Sequence, residues 1–106
     1  MLLLDTFFWL LVAHTCTDVW WQDERMIIKK SRRHNPASWG PWMVAHALLN
    51  GAGVALVMGG VWPGIVETLS HLIIDTSKEE RLITFWQDQG LHLLCKGCYL
   101  VMVFPL

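Results

Sequence analysis

The chain has 106 residues, the size of one domain, of which 54% are hydrophobic and 16% charged, with mean hydropathy +0.39 and a formal net charge of -1. So apolar a composition leaves too little polar surface to cover a soluble domain, and a net charge near zero says nothing about nucleic acid, for which the distribution of charge matters more. The apolar residues gather into long runs with room for four spans of roughly 20 residues, the length that crosses a hydrocarbon core. The fold class is therefore read as all-α. The expected architecture is an integral membrane four-helix bundle with short loops, a single domain over 1–106 with spans at about 2–21, 39–60, 64–80 and 82–104.

The first span, Leu2–Trp21, lacks the basic start and small-residue cleavage site of a secretory signal and carries His14 and Asp18, so it reads as a retained helix. Asp5 falls at its outer end. Gln22–Ser38 is polar, with Arg25, Lys29, Lys30, Arg32 and Arg33 against Asp23 and Glu24, and Asn35-Pro36 opposes a helix there. Trp39–Trp62 is rich in small residues (Ala45, Ala47, Gly51, Ala52, Gly53, Ala55), which let membrane helices approach closely and predict a central position. Gly59–Gly64, with Pro63, reads as a tight uncharged turn. Ile65–Glu80 is the shortest and most polar span, Lys78–Arg81 a charged turn, and Leu82–Phe104 the last span.

Seven of the eight Lys and Arg lie in the first connection and the last turn, and none in the middle turn. The positive-inside rule then places both charged connections in the cytoplasm and both termini outside. Trp20, Trp21, Trp39, Trp42 and Trp86 fall at the same interface, as an aromatic belt does. Cys16, Cys95 and Cys98 all lie within spans. Cys95 and Cys98 have CxxC spacing, but within a span they read as small buried residues.

Each span carries a polar pair four residues apart, on one helix face: His14 and Asp18, His46 and Asn50, His71 and Asp75, Asp88 and His92. At 1.5 Å per residue, His14, Asp18, His46, His71, Asp75, Asp88 and His92 fall between ~5 and ~15 Å from the cytoplasmic end of their spans. Seven such groups converge on one layer of the bilayer. Intramembrane ionisable residues mark functional sites by default, and His and carboxylates from packed helices build metal centres. These seven are the candidate metal ligands, with His46 and Asp88 also as acid–base groups. Imidazole plus carboxylate suits one or two divalent ions, zinc first, with iron or manganese as alternatives. The competing reading is a buried polar network that holds helices together.

Gln22, Asn50 and Gln89 adjoin the stripes and are candidates to orient ligands. Glu67 precedes His71 by four and Lys96 follows His92 by four, at matching depth, so they are expected to form an ion pair that closes the site toward the outside. His34 reads as a surface residue. The basic run RMIIKKSRRH reads as a topology signal touching anionic lipid, or as a feature that draws an anionic substrate.

With these residues laid out, the chain resembles the domain of unknown function 3307 family, small multi-span membrane proteins of bacteria and their phages. The likeness covers nearly the whole chain and rests on AHTCTDVWWQDERM (13–26), VAHALLN (44–50), SHLIIDTSK (70–78) and DQGLHLL (88–94). It implies a bacterial or phage origin and the cytoplasmic membrane, and supplies no reaction. The function expected is a membrane metalloprotein that hydrolyses a lipid-linked or phosphoester substrate, with membrane lipids as neighbours and no nucleic-acid partner. Proton or metal-ion transport and a metal-stabilised phage or bacterial interaction factor are the alternatives. The sequence leaves the oligomeric state open.

Overall fold

The computed structural model describes residues 3–20 and 24–103, with side chains throughout except at positions 20 and 103. Within them the chain is all-α. Helix α1 (Leu3–His14) runs into a π-helical segment (Thr15–Trp20), followed by α2 (Glu24–Lys29), α3 (Trp39–Met58), α4 (Val61–Glu79) and α5 (Phe85–Val103). Gln22, a candidate orienting residue, lies outside the described residues.

Local chemistry moves several of the expected boundaries. The polar connection at 22–38 holds a short helix, because Asn35-Pro36 opposes helix only around itself, and Asn35 caps α2 by donating to the Lys29 carbonyl at 2.8 Å. The uncharged turn is Gly59–Gly60 alone. Gly59 takes the left-handed conformation (φ 72°), and the Gly59 and Gly60 amides both donate to the Ala55 carbonyl. Pro63 sits in the first turn of α4, where a missing N–H removes no intrahelical bond. Helix α4 therefore has 19 residues, the same as α5, and is not the shortest span. Helix α5 starts at Phe85, not Leu82, because Thr84 and Gln87 cap it reciprocally: Gln87 N–H donates to Thr84 Oγ1 (3.1 Å) and Thr84 N–H to Gln87 Oε1 (2.9 Å).

The long helices close a ring, α1 on α3, α3 on α4, α4 on α5 and α5 back on α1. The α3–α4 crossing depends on two glycines. A Cβ on Gly51 would lie 2.6 Å from the Gly64 carbonyl, and one on Gly64 2.7 Å from the Gly51 carbonyl. Outside the ring, Arg32 donates two bonds to Glu80 (2.8 and 2.7 Å), tying the first connection to the end of α4 and holding the Glu80 carboxyl below its usual range.

Burial in this ring is inverted. Among the described residues, fourteen buried side chains are polar or charged and seven are hydrophobic, while twenty-six large hydrophobic residues are exposed. The apolar part of the interior is small: Leu10, Val54, Tyr99 and Leu100 form one cluster, packed against Phe7, Val57, Met58 and Cys95. One helix among the described residues, Trp39–Met58, is long and apolar enough to cross a membrane. The four-span placement therefore does not follow from helix length and hydropathy alone.

Adding a methyl group at Gly51 forces α3 and α4 apart. Gly51→Ala should destabilise the fold by about 1–3 kcal/mol, whereas Gly97→Ala, with nothing within 4 Å of the new Cβ, should stabilise it by roughly 0.5–1 kcal/mol. Thermal unfolding compares the two.

Candidate functional site

The interior of the ring is a layer of imidazoles and carboxylates. Helix α1 and its π-helical continuation supply His14 and Asp18, α3 supplies His46, α4 supplies Glu67, His71 and Asp75, and α5 supplies Asp88, His92 and Lys96. None of these nine residues is more than 6% exposed. On α4 and α5 the four-residue spacing stacks the groups along one face. On the first span the wider π turn brings Thr17 and Asp18 inward together, both 4% exposed.

The four imidazoles form a continuous row. The His14 and His92 rings lie 5.5 Å apart, His92 and His71 stack at 4.3 Å, and His71 meets His46 edge-on at 4.8 Å. Asp18 sits against this row. Its Oδ1 is 2.9 Å from His46 Nε2 and 3.5 Å from His71 Nε2, and its Oδ2 is 3.7 Å from His14 Nε2. Gln89 links helices across the layer: its Nε2 donates to Asp18 Oδ2 (3.1 Å) and Asp88 Oδ2 (3.0 Å), and its Oε1 lies 3.0 Å from His14 Nε2. Asn50 reaches no imidazole. It donates to the His46 carbonyl (3.0 Å) and accepts from Thr17 Oγ1 (2.7 Å), which fastens the first span to α3.

Two overlapping groups have metal-ligand spacing, Asp18–His71–His92 and His46–His71–Asp75, each with its ligand atoms within 4.8 Å of one another. Several buried atoms in the layer have no hydrogen-bond partner among the described residues: both ring nitrogens of His71, His92 Nε2, Asp88 Oδ1 and His14 Nδ1. Asp88 Oδ1 and His92 Nε2 face each other at 3.4 Å. The seven candidate ligands therefore share one layer but differ in what already occupies them. Asp75 is held by a lysine and His14 Nε2 by Gln89, whereas His71, His92, Asp88 and the other nitrogen of His14 have positions without a hydrogen-bond partner among the described residues.

Glu67 and Lys96 are brought together as an ion pair, Lys96 Nζ donating to Glu67 Oε1 at 2.7 Å. The other carboxylate oxygen accepts from Tyr99 at 2.7 Å, and Oε1 also lies 3.7 Å from His71 Nδ1. Tyr99 was legible, since it extends the Asp88, His92, Lys96 stripe by a further three residues.

Lys30 was not legible. Within the basic run it reads as a surface charge, yet it is fully buried and donates to Asp75 Oδ2 at 2.5 Å, with the half-buried Lys78 3.5 Å from Asp75 Oδ1. Its neighbour Lys29 lies over the Trp42 ring, 4.3 Å from the centroid. Adjacent lysines thus go to opposite environments, and nothing in the local sequence distinguishes them. His34 is exposed, as expected, with Nδ1 3.0 Å from Ser31 Oγ.

The model of one protein family, described as "Protein of unknown function (DUF3307)", matches residues 6–104. The chain belongs to this family. The match takes in every residue of the layer. No curated protein and no solved structure matches the chain.

Removing one member of the Glu67 pair strands a charge in the interior. Lys96→Met should destabilise the fold by about 3–5 kcal/mol, and Glu67→Gln in the same chain should recover most of that loss. Thermal unfolding of the two single variants and the double variant checks this; equal damage in all three would show that the residues act separately.

Proposed function

We propose that this protein spans the membrane as a four-helix bundle and holds a divalent metal ion in its polar layer for hydrolysis of a lipid-linked or phosphoester substrate. The membrane part rests on the inverted burial. A surface carrying residues such as Leu56, Trp62, Ile73 and Met102 at 69–84% exposure has its solvent in lipid, and polar groups then belong inside. The bundle is 44 Å long, which suits a bilayer of ~40–45 Å including headgroups.

The observation that carries the metal is His71. It is fully buried and central to both ligand groups; its Nδ1 faces the Glu67 carboxylate at 3.7 Å, and its Nε2 has no hydrogen-bond partner among the described residues. A buried imidazole left so is costly unless something else takes its lone pair. Charge supports the same reading. Asp18, Glu67, Asp75 and Asp88, when ionised, carry four negative charges in the layer, against the fully buried ammoniums of Lys30 and Lys96 and the half-buried Lys78 beside Asp75. A bound cation offsets the remaining negative charge. Asp18, His71, His92 and Asp88 would hold it, with His46 bonded to Asp18 as the adjoining acid–base group, and the four-residue donor set of nitrogen and oxygen suits zinc, iron or manganese.

Bound metal supplies a water of near-neutral pKa and polarises the scissile group. The residues around it orient the ligands: Gln89 fixes the Asp18 and Asp88 carboxylates, and Glu67 lies behind His71. Entry from one side favours hydrolysis over transport. Beyond Glu67, Lys96 and Tyr99 the described interior is largely apolar, with the Leu10–Val54–Tyr99–Leu100 cluster and, on the same end of α1, the buried Thr6. Access is then from the end that carries Arg32, Arg33, Lys78 and Arg81, which suits an anionic headgroup.

Elemental mass spectrometry on detergent-purified protein should find one equivalent of zinc, iron or manganese per chain, lost in the Asp88→Ala, His92→Ala variant. A folded wild type that takes up no metal on dialysis would end the metalloprotein reading. Phosphoester hydrolysis that survives the loss of both Asp88 and His71 would end the catalytic one. For topology, cysteines introduced at Ser38 and Val61 in a chain lacking Cys16, Cys95 and Cys98 should react with an impermeant maleimide from opposite sides of the membrane.

A further inference from the structure

Lys30 is a buried cation on a carboxylate of the second group with metal-ligand spacing. Its ammonium lies 2.5 Å from Asp75 Oδ2. That same oxygen is 3.6 Å from His46 Nε2 and 3.8 Å from His71 Nε2, so the ammonium engages the carboxylate oxygen of the His46–His71–Asp75 group. The neighbouring Asp18–His71–His92 group takes hydrogen bonds from Gln89 and His46, and three of its ring nitrogens have no hydrogen-bond partner among the described residues. One half of the layer is thus supplied with a cation hydrogen-bonded to its carboxylate by the chain itself, and the other keeps imidazole nitrogens without a partner among the described residues.

We propose that the layer contains two adjoining cation positions, and that the one between His46 and Asp75 is filled by the Lys30 ammonium in place of a second divalent metal. The proposal rests on the metal reading above. The two positions share a carboxylate: Asp18 Oδ1 lies within 3.5 Å of both His46 Nε2 and His71 Nε2. A shared carboxylate between ions about 3.5–4 Å apart is the usual build of two-metal hydrolytic sites. The ammonium and a divalent ion cannot both take the Asp75 oxygen, since each needs it at contact distance and like charges repel there.

Lys30 also differs from every other residue of the layer in where it comes from. It follows α2 in the connection to α3, whereas the others are carried on the long helices. The connection is fastened to the bundle by Lys30 to Asp75, by Lys29 over Trp42 and by Arg32 to Glu80. Loading of the second position is therefore controlled by the placement of this connection. With Lys30 docked, the centre takes one metal; with Lys30 withdrawn, it takes two.

The test counts metal in purified wild type, Lys30→Met and Lys30→Arg, each prepared with cobalt or zinc in excess and then freed of loosely held ions. Wild type and Lys30→Arg are expected to hold one equivalent, and folded Lys30→Met two. The further change Asp75→Asn in the Lys30→Met chain should return it to one. A folded Lys30→Met that holds one equivalent or fewer overturns the proposal while leaving the metal reading intact, and absence of metal from all variants overturns both. Wild type gives an independent reading should Lys30→Met fail to fold. At millimolar cobalt a second equivalent should enter, and Lys30 should become reactive to an amine-acylating reagent, detected by peptide mass. Two bound metals with Lys30 still protected, or no second equivalent at any concentration, would overturn it.

Discussion

A charge or an imidazole inside this ring must be answered by another group, because the side chains that face outward are apolar and offer nothing to hydrogen-bond. That constraint organises the whole fold. Glu67 is held by Lys96 and Tyr99, Asp75 by Lys30 and Lys78, and Asp18 by His46 and Gln89. All of these connections except Lys78 to Asp75 join different segments of the chain, so the polar layer also fastens the bundle laterally. The burial of apolar side chains, which drives most folding in water, contributes little here, since only a few hydrophobic residues are buried.

The residues left over after this pairing give the layer its chemical character. A structural network would close on itself, with every buried donor and acceptor engaged. Here the network closes at both ends, around Asp75 and around Glu67, and stays open in the middle at His71, His92 and Asp88. The open positions fall on His71, His92, Asp88 and Nδ1 of His14, all within the imidazole row or beside it, and the proposed metal ion would draw on the first three. Carboxylates from the same layer stand close enough to share it, and Gln89 holds two of them in place.

Packing and site depend on each other through the small residues. Gly51 and Gly64 allow α3 and α4 to meet at backbone contact, and it is this approach that carries His46 on α3 to His71 and Asp75 on α4. The π-helical turn after His14 has a comparable role on the first span, since it turns Asp18 toward His46 and away from a simple stack on His14. Backbone geometry of this kind sets the distances among the imidazoles and carboxylates of the layer, the preset arrangement on which the proposed metal centre would depend.

The sequence by itself determined the helices and the faces they turn inward. The spacings between His14 and Asp18, Glu67, His71 and Asp75, and Asp88, His92 and Lys96 are local, and helical geometry alone places such residues on one side. The Glu67–Lys96 pairing was legible too, because matching depth follows from counting residues along two antiparallel helices. The tertiary structure decided which faces met and how the ends were cut. Gln89 bridges to His14 and Asp18 across more than seventy residues of sequence, and Lys30 enters the layer while Lys29 stays on Trp42. Contacts between remote segments depend on the rotation of each helix and on the path of the first connection. Both are set by packing against neighbours, for which the local sequence carries no periodic signal.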